Sequence, residues 1–507
     1  MKVLLLWHIS ALRQEKSASR CSTCCKVRLR GDTPISLARA RICTVSLRTF
    51  MNNPGQHAGE VCVPSKAAMT SILLTNTTYR PCIGGIENSL HYIAKSYQEM
   101  GVRTLVACSD QTPSGEGRLP AGEVIDGIEV RRYANLGRWI NFLGLTASGN
   151  LLRARKFLRG LAEHERFDGI IARQQSVGLA AKLAFPGVPV VYVVSSMAAQ
   201  LNREDLRTPF AGRLKEMVYG RFNRYLILPQ QHWMQKACLR RVDVVLVFSE
   251  NMRRQVLEVV PDAAERIWVH PPGVDSERFA PVADKPSLRR ELGLPEAAPL
   301  ALGVGRLIRA KGFDRAIDAL SSDAARDVHL AIVGGGGELA SLERRAREAR
   351  VSERVHFVGA TDRPERFYAA ADFYLMTSRY ESFGQSIIEA MSAGLPVLAY
   401  RATGDEKVVT ASEELIEDGR DGFLCDLDAG GLAVALERLR ELSAEERRRM
   451  GEAGMAKVAS RYSWRAFAEF ALERMFRCST YCKYACAAKH RFLLPEHESA
   501  PSRYGPS

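Results

Sequence analysis

The stretch from Ser71 to Ala107 constrains the fold of this chain more than any other. Ser71–Thr75 is a short run of strand-forming residues, and Arg80-Pro-Cys-Ile-Gly84-Gly85-Ile86-Glu87 is a glycine loop. Asn88–Met100 then carries Leu90, Ile93, Ala94 and Tyr97 at helical spacing, and Val102–Ala107 is apolar again. Gly101 stands where a helix commonly ends on a left-handed residue. Strand, loop, helix, strand is a βαβ unit. Strands joined by a crossover helix run parallel, and a parallel sheet is buried on both faces. The chain is therefore expected to be α/β, with ligand-binding loops at the carboxyl ends of its strands.

The same rhythm continues. Gly169–Ala172, Val188–Val194 and Val242–Phe248 read as strands, and a basic, aromatic helical stretch runs from about Leu206 to Arg241. His270-Pro-Pro-Gly273 breaks the pattern and predicts a hinge. Beyond it come a strand at Leu300–Val304, a loop at Gly305–Gly312 and a helix at Phe313–Leu320. A strand at Val328–Val333, a glycine run at Gly334–Gly337, a charged helix at Glu338–Ala349 and a strand at Val355–Val358 follow. Phe373–Met376, a helix from about Gly384 to Ala393, Pro396–Ala399 and a last amphipathic helix, Trp464–Phe476, complete the pattern. Two doubly wound halves are expected, at residues 69–275 and 276–460, followed by a helix within 461–477.

Charge and cysteine set the two ends apart. The net charge is +14, but residues 1–66 hold +8 of it and residues 477–507 hold +3, which leaves about +3 for the body. A body so nearly neutral excludes a nucleic-acid-binding surface. Of the 12 cysteines, only Cys82, Cys108, Cys238 and Cys425 fall in the body, scattered as small buried hydrophobes of a reducing compartment. A cytoplasmic location, with the inner face of the membrane as its limit, is the corresponding expectation. Residues 1–68 and 478–507, each containing cysteines, are expected to be a disordered basic extension and a disordered tail. No apolar run reaches the ~18 residues of a membrane span.

Two stretches carry the chemistry. Tyr380-Glu381-Ser-Phe-Gly384-Gln385-Ser386-Ile-Ile-Glu389 places one carboxylate before a glycine turn and a second on the helix after it. That helix can offer Gln385, Ser386 and its free first-turn N–H groups to an anion. A carboxylate one turn further can accept two hydrogen bonds from a vicinal diol such as ribose. Gly305-Arg306-Leu-Ile-Arg-Ala-Lys311-Gly312 directly follows a buried strand, so Arg306 and Lys311 can converge on one diphosphate. The competing reading is a pair of surface cations with Asp314 as their partner. Gly334–Gly337 lacks the spacing and later acid of a dinucleotide fingerprint, which disfavours hydride transfer. Asp426-Leu-Asp428 reads as a loop before a helix.

Together these stretches resemble the retaining GT-B glycosyltransferases of family 4, the glycosyl transferases group 1. The resemblance covers roughly Met69 to Phe476. It rests on five elements in order: Gly84-Gly85-Ile86-Glu87, Phe248-Ser249-Glu250, Pro272-Gly273-Val274-Asp275…Arg278-Phe279, Gly305-Arg306…Lys311-Gly312, and Glu381…Glu389. It implies two Rossmann-like domains facing a cleft, the first on the acceptor side and the second binding a nucleotide sugar. The final helix is implied to cross back to the first domain. The implied reaction moves a sugar from a nucleoside-diphosphate sugar to an acceptor hydroxyl, with retention and with neither cofactor nor metal, in polysaccharide or glycolipid synthesis. Glu381, Arg306 and Lys311 are the implied catalytic residues. Arg306 and Lys311 bind the diphosphate and Glu381 contacts the sugar. Gly84 and Gly85 let their loop approach the diphosphate, Gly384, Gln385 and Ser386 support the phosphates, and Glu389 holds the ribose.

Two departures stand out. Ser195-Ser196 occupies the place where many relatives carry a His that contacts the donor sugar. The stretch from Thr403 to Gly419 looks like an insertion and reads as a solvated surface loop. The basic-aromatic stretch, with Arg207, Arg213, Lys215, Arg221 and Arg224 beside Phe210, Tyr219, Phe222 and Tyr225, fits either a membrane-resting helix near a lipid-linked acceptor or a packed helix face. The rival functions are a non-catalytic nucleotide-sugar-binding subunit and a sugar-nucleotide epimerase.

Overall fold

The computed structural model describes residues 70–491, apart from 83, 114, 136–145, 199–226, 404–407 and 428–429. The first half contains β1 (Ser71–Thr75), α1 (Gly85–Glu99), β2 (Arg103–Ser109), β3 (Gly122–Ile125), β4 (Ile128–Tyr133), α2 (Thr146–His164) and β5 (Gly169–Ala172). It continues with α3 (Gln175–Ala184), β6 (Val190–Val193), α4 (Leu228–Arg241), β7 (Val244–Val247), α5 (Glu250–Val259) and β8 (Ile267–Val269). The strands form one sheet in the order β3-β4-β2-β1-β5-β6-β7-β8. Its central strand shows why the apolar runs are continuous. Ile72 and Leu74 pack under α1, while Leu73 faces the core shared by α2, α3 and α4. Alternate residues thus serve opposite faces, and both faces are covered by helices.

The hairpin β3–β4 is the sheet's antiparallel pair and lies outside the strands expected from the sequence. Asp126-Gly127 turns it, both residues with positive φ (49° and 79°). Such a two-residue turn matches the twist of the flanking strands.

The second half contains α6 (Lys285–Glu291), β9 (Leu300–Val304), α7 (Phe313–Ala319), β10 (His329–Val333), α8 (Leu339–Glu348), β11 (Val355–Gly359), α9 (Glu365–Ala370) and β12 (Phe373–Met376). After these come α10 (Gln385–Ser392), β13 (Val397–Tyr400), α11 (Ser412–Leu415), β14 (Gly422–Cys425), α12 (Gly431–Glu441) and α13 (Ala444–Arg461). Its sheet, ordered β11-β10-β9-β12-β13-β14, is parallel throughout. The chain then returns. α14 (Trp464–Arg491) buries Trp464, Phe467, Ala468, Ala471 and Met475 in the first half's core. The Tyr97 hydroxyl donates to the Ala468 carbonyl at 3.2 Å. The outgoing and returning strands of chain touch where they cross, because the Val274 N–H donates to the Tyr462 carbonyl at 3.2 Å.

Two expectations are corrected. The tail was expected to be disordered from residue 478, yet α14 runs on to Arg491. No Gly or Pro lies between Phe476 and Arg491, so nothing stops helix propagation. The stretch 403–419 is not simply a solvated loop. Val408, Thr410, Ala411, Ser412, Leu415 and Ile416 are buried. α11 also turns Glu414 toward the first half, where its carboxylate accepts the Glu250 and Asn251 N–H groups at 2.8 and 2.7 Å. A carboxylate at the start of α5 is favourable both as a cap and against the helix dipole. Residues 1–68, the cations and aromatics of 207–225, and Asp428 lie outside the described residues. Among those described, Cys82, Cys108, Cys238 and Cys425 form no disulfide, and no helix is long and apolar enough to cross a membrane.

Candidate active site

The carboxyl ends of β9, β10 and β12 build one wall. β9 ends in the Gly305–Gly312 loop, which carries the exposed Arg306 and the half-buried Lys311. Main-chain contact with the next loop shapes it. The Leu307 N–H donates to the Gly335 carbonyl at 3.0 Å, and Glu338 N–H to the Leu307 carbonyl at 3.1 Å. The approach is so close that a Cβ on Gly334 (φ +148°) would meet the Gly305 carbonyl oxygen at 1.8 Å. Gly334–Gly337 is therefore a strand-to-helix turn locked against the Arg306 loop.

Lys311 and Glu381 come together across 70 residues of sequence, with Nζ 2.5 Å from a carboxylate oxygen. The Lys311 carbonyl also accepts the Thr377 hydroxyl at 3.0 Å, which ties the β9 loop to the end of β12. Asp314 pairs with Arg379 at 3.4 Å and with neither Arg306 nor Lys311, so the surface-pair reading of those cations fails. Among the described residues the Arg306 side chain has no hydrogen bond or ion pair.

Gly384, at φ +107°, turns the chain into α10. Among the described residues the first-turn N–H groups of Gln385 and Ser386 have no acceptor, as expected at a helix start. The Gln385 side-chain amide is already engaged, donating to the Gly273 carbonyl at 2.9 Å. Only its backbone N–H is therefore open to a phosphate. The Ser386 hydroxyl lies against the Tyr374 phenol.

Glu389 sits one turn into α10, over a floor of stacked tyrosines. The Tyr368 hydroxyl donates to its carboxylate at 2.9 Å, and Tyr374 stacks on Tyr368 with centroids 5.7 Å apart. Burial pushes the Glu389 carboxyl up to about 7. The Tyr368 hydrogen bond and the charges of Arg278 and Lys311 oppose that rise.

The first half supplies the facing wall. Gly84 and Gly85 open α1, and a Cβ on Gly85 would meet nothing within 4 Å. Glu87, in the first turn, accepts the Thr78 hydroxyl at 2.5 Å. Ser195 and Ser196 follow β6 in a half-buried loop anchored by Gln235, whose amide donates to the Ser196 carbonyl at 2.8 Å.

Straps that the sequence analysis did not foresee hold the walls together. Tyr380 OH accepts the Met197 N–H at 3.0 Å and donates to Gln255 at 3.3 Å. Ser249 caps α5 and also donates to the Ser382 carbonyl at 2.8 Å. Phe248 meets Phe383 edge-on at 5.9 Å. A visible signal was Phe248-Ser249-Glu250 itself, a helix N-cap serine at a strand end. Nothing in the sequence says that its partner lies 133 residues away. A cavity of about 600 Å³ also opens between the halves, lined by Arg80, Pro81, Asn88, Glu123, Arg278 and Asp362 among others. None of the site residues above lines it. The converging side chains, not this hollow, mark the chemistry. Among the described residues no group of three or more metal-ligating side chains occurs.

Comparison with known proteins fits this architecture. The family "Glycosyl transferases group 1" matches residues 284–457, and "Glycosyltransferase Family 4" matches residues 83–278. The chain is 31% identical over 272 residues to the GDP-mannose-dependent alpha-(1-6)-phosphatidylinositol monomannoside mannosyltransferase of Mycobacterium tuberculosis, covering 50% of this chain and 67% of that one. It is also 31% identical over 186 residues to the lipopolysaccharide core biosynthesis glycosyltransferase LpsE of Rhizobium meliloti, covering 36% and 52%. The chain thus spans from about half to two thirds of the length of these relatives. Sucrose-phosphate synthase from Thermosynechococcus elongatus superposes with a TM-score of 0.64 at 21% identity, over 80% of this chain and 98% of that one. Anabaena HepE in complex with UDP and glucose superposes with a TM-score of 0.58 at 22% identity, over 79% and 98%. The two-domain α/β architecture, the matched families and the aligned relatives lead to one conclusion: the chain belongs to the glycosyl transferases group 1 and has the GT-B fold.

Proposed function

We propose that the protein transfers a glycosyl group from a nucleoside-diphosphate sugar to an acceptor hydroxyl, with retention at the anomeric carbon. The observation that carries this reading is the convergence of the Lys311–Glu381 pair, the free first-turn N–H groups of α10, and Glu389 on one wall of the cleft. In the proposed step the bond from the anomeric carbon to the diphosphate oxygen breaks, and the acceptor oxygen bonds to that carbon. The acceptor proton leaves to the departing diphosphate. Arg306, Lys311 and the N-terminus of α10 offset the charge that develops on the leaving group, a role that side-chain cations fill without a metal. Glu381 orients sugar hydroxyls and Glu389 accepts from the ribose.

A lipid-linked acceptor is supported by relatives named for phosphatidylinositol mannoside and lipopolysaccharide core synthesis. Peripheral contact with an anionic membrane is part of the same proposal. Trp233 on α4 and Leu152 on α2 are exposed apolar side chains, and Arg153, Lys156, Arg159, Arg240 and Arg241 on those helices are exposed cations.

The deciding experiment is a thermal-shift screen of nucleoside diphosphates and their sugar conjugates, followed by product analysis with the stabilising donor. A true donor raises the melting temperature by mass action. No stabilisation by any conjugate, or release of an epimerised donor in place of a transferred sugar, overturns the reading. Cosedimentation with anionic and neutral vesicles tests the membrane contact, which should appear with the anionic ones alone.

A further inference from the structure

The first sheet reverses its winding between β1 and β5, because β2 lies on one side of β1 and β5 on the other. Open α/β sheets hold ligands outside the carboxyl ends of their strands at such a switch point. Arg173 directly follows β5 there, its N–H donating to the Thr75 carbonyl at 3.0 Å. The side chain then runs sideways across the strand ends. It donates to the Val193 carbonyl at 3.1 Å and lies 5.0 Å from the centre of the Phe248 ring. Phe248 in turn contacts Phe383, the residue before Gly384. Phe248 thus links the buried guanidinium to the residue that precedes the α10 turn.

Arg173 is only 2% exposed, and among the described residues no carboxylate is hydrogen-bonded to it. Nor does its Nε have a hydrogen-bond partner among them. Glu87 is the acid whose charge reaches it, but that carboxylate is bonded to Thr78. Burial pushes the guanidinium down to about 10. A buried cation with one neutral acceptor is costly unless something anionic completes it. The donor's diphosphate is already matched by Arg306, Lys311 and α10 on the opposite wall, so the completing charge belongs to the other substrate. The loop at Ser195-Ser196 offers no cation for it.

We propose that Arg173 is a specificity-determining residue whose guanidinium takes an anionic oxygen, phosphate or carboxylate, carried by the glycosyl acceptor. The inference rests on the glycosyl-transfer reading above. Its test titrates glucose 6-phosphate, glucuronate and glucose into the full chain in the presence of UDP or GDP. The three probes share a ring and differ in phosphate, carboxylate or no charge. Wild type should bind at least one anionic probe about tenfold more tightly than glucose, as expected for charge-assisted bonds. Arg173→Gln should abolish that preference while the nucleoside diphosphate affinity stays within about threefold, since the donor's charge is met on the other wall. Should Arg173→Gln fail to fold, Arg173→Lys keeps the charge without the planar fork and should still weaken the anionic probe selectively. Equal binding of all three probes, absence of binding by any of them, an anionic preference that survives both substitutions, or a loss confined to UDP and GDP overturns the proposal. If wild type binds neither UDP nor GDP but shows an Arg173-dependent anionic preference, the donor reading fails and this one stands.

Discussion

Lys311 Nζ lies 2.5 Å from a carboxylate oxygen of Glu381, and both side chains are about four-fifths shielded from solvent. The pair satisfies two charges that the cleft would otherwise leave uncompensated. Its carboxylate also fixes the position of the ammonium before any ligand arrives. An arriving diphosphate meets a cation already oriented, which lowers the reorganisation needed at the moment of reaction.

Removing that cation is the first test. Lys311→Ala should lower kcat by roughly 10²–10³-fold, the usual cost of deleting a group aimed at developing charge. The far-ultraviolet circular dichroism should be unchanged. Full turnover with a confirmed donor would sink the assignment of Lys311.

Acidity at Glu389 gives a second. Its carboxyl is pushed up to about 7 in the folded chain, against an ordinary value of 4.5. Between those values the folded state holds a proton that the unfolded state has released. The linkage slope is therefore negative, and stability falls as pH rises from about 4.5 to about 7. Glu389→Gln should flatten that limb in urea unfolding at stepped pH. Nucleoside diphosphate affinity of the wild type should rise as pH passes through about 7, where the folded-state carboxyl becomes ionised and able to accept from ribose. A slope that persists in the variant would show that another group titrates.

Tyr380→Phe removes the hydroxyl that joins the domains. The buried Met197 N–H is then left without its acceptor, at a cost of about 1–3 kcal/mol. Urea unfolding measures this directly. An unchanged midpoint would mean that the strap carries no net energy.

Two glycines should behave oppositely. A Cβ at Gly273 would meet the Trp464 nitrogen at 2.1 Å, so Gly273→Ala should lower the melting temperature sharply and loosen the returning helix. Gly85→Ala meets nothing within 4 Å and should melt normally. It should nevertheless weaken donor binding, because the added methyl projects into the space the diphosphate is proposed to occupy. Normal donor affinity in Gly85→Ala would remove that loop from the site.

Chelation checks the assignment of the charge-neutralising role to side chains. Turnover of the purified enzyme should be the same with and without EDTA, and added divalent cations should not raise it. A metal-dependent rate would require revising the roles of Arg306 and Lys311.

Much of the scaffold was legible because strand positions and glycine loops are local properties. Three apolar residues, Ile72–Leu74, between Ser71 and Thr75 specify a short buried strand wherever they stand. Asp126-Gly127 is an equally local turn signal, yet the hairpin it makes was not among the strands expected from the sequence. The charged content of the site was likewise written in Gly305–Gly312 and Glu381–Glu389.

By itself the sequence determined the parallel α/β architecture, the break in its strand–helix rhythm near Gly273, and which loops bear the charged groups. Tertiary structure alone decided who meets whom. It paired Lys311 with Glu381, set Tyr368 beneath Glu389, turned Gln385 away to Gly273, and brought Glu414 to the start of α5. The physical reason is that propensity and periodicity act over a few residues, whereas hydrogen bonds and desolvation depend on distances in space. The acidity of Glu389 and the buried charge of Arg173 come from neighbours that only folding assembles.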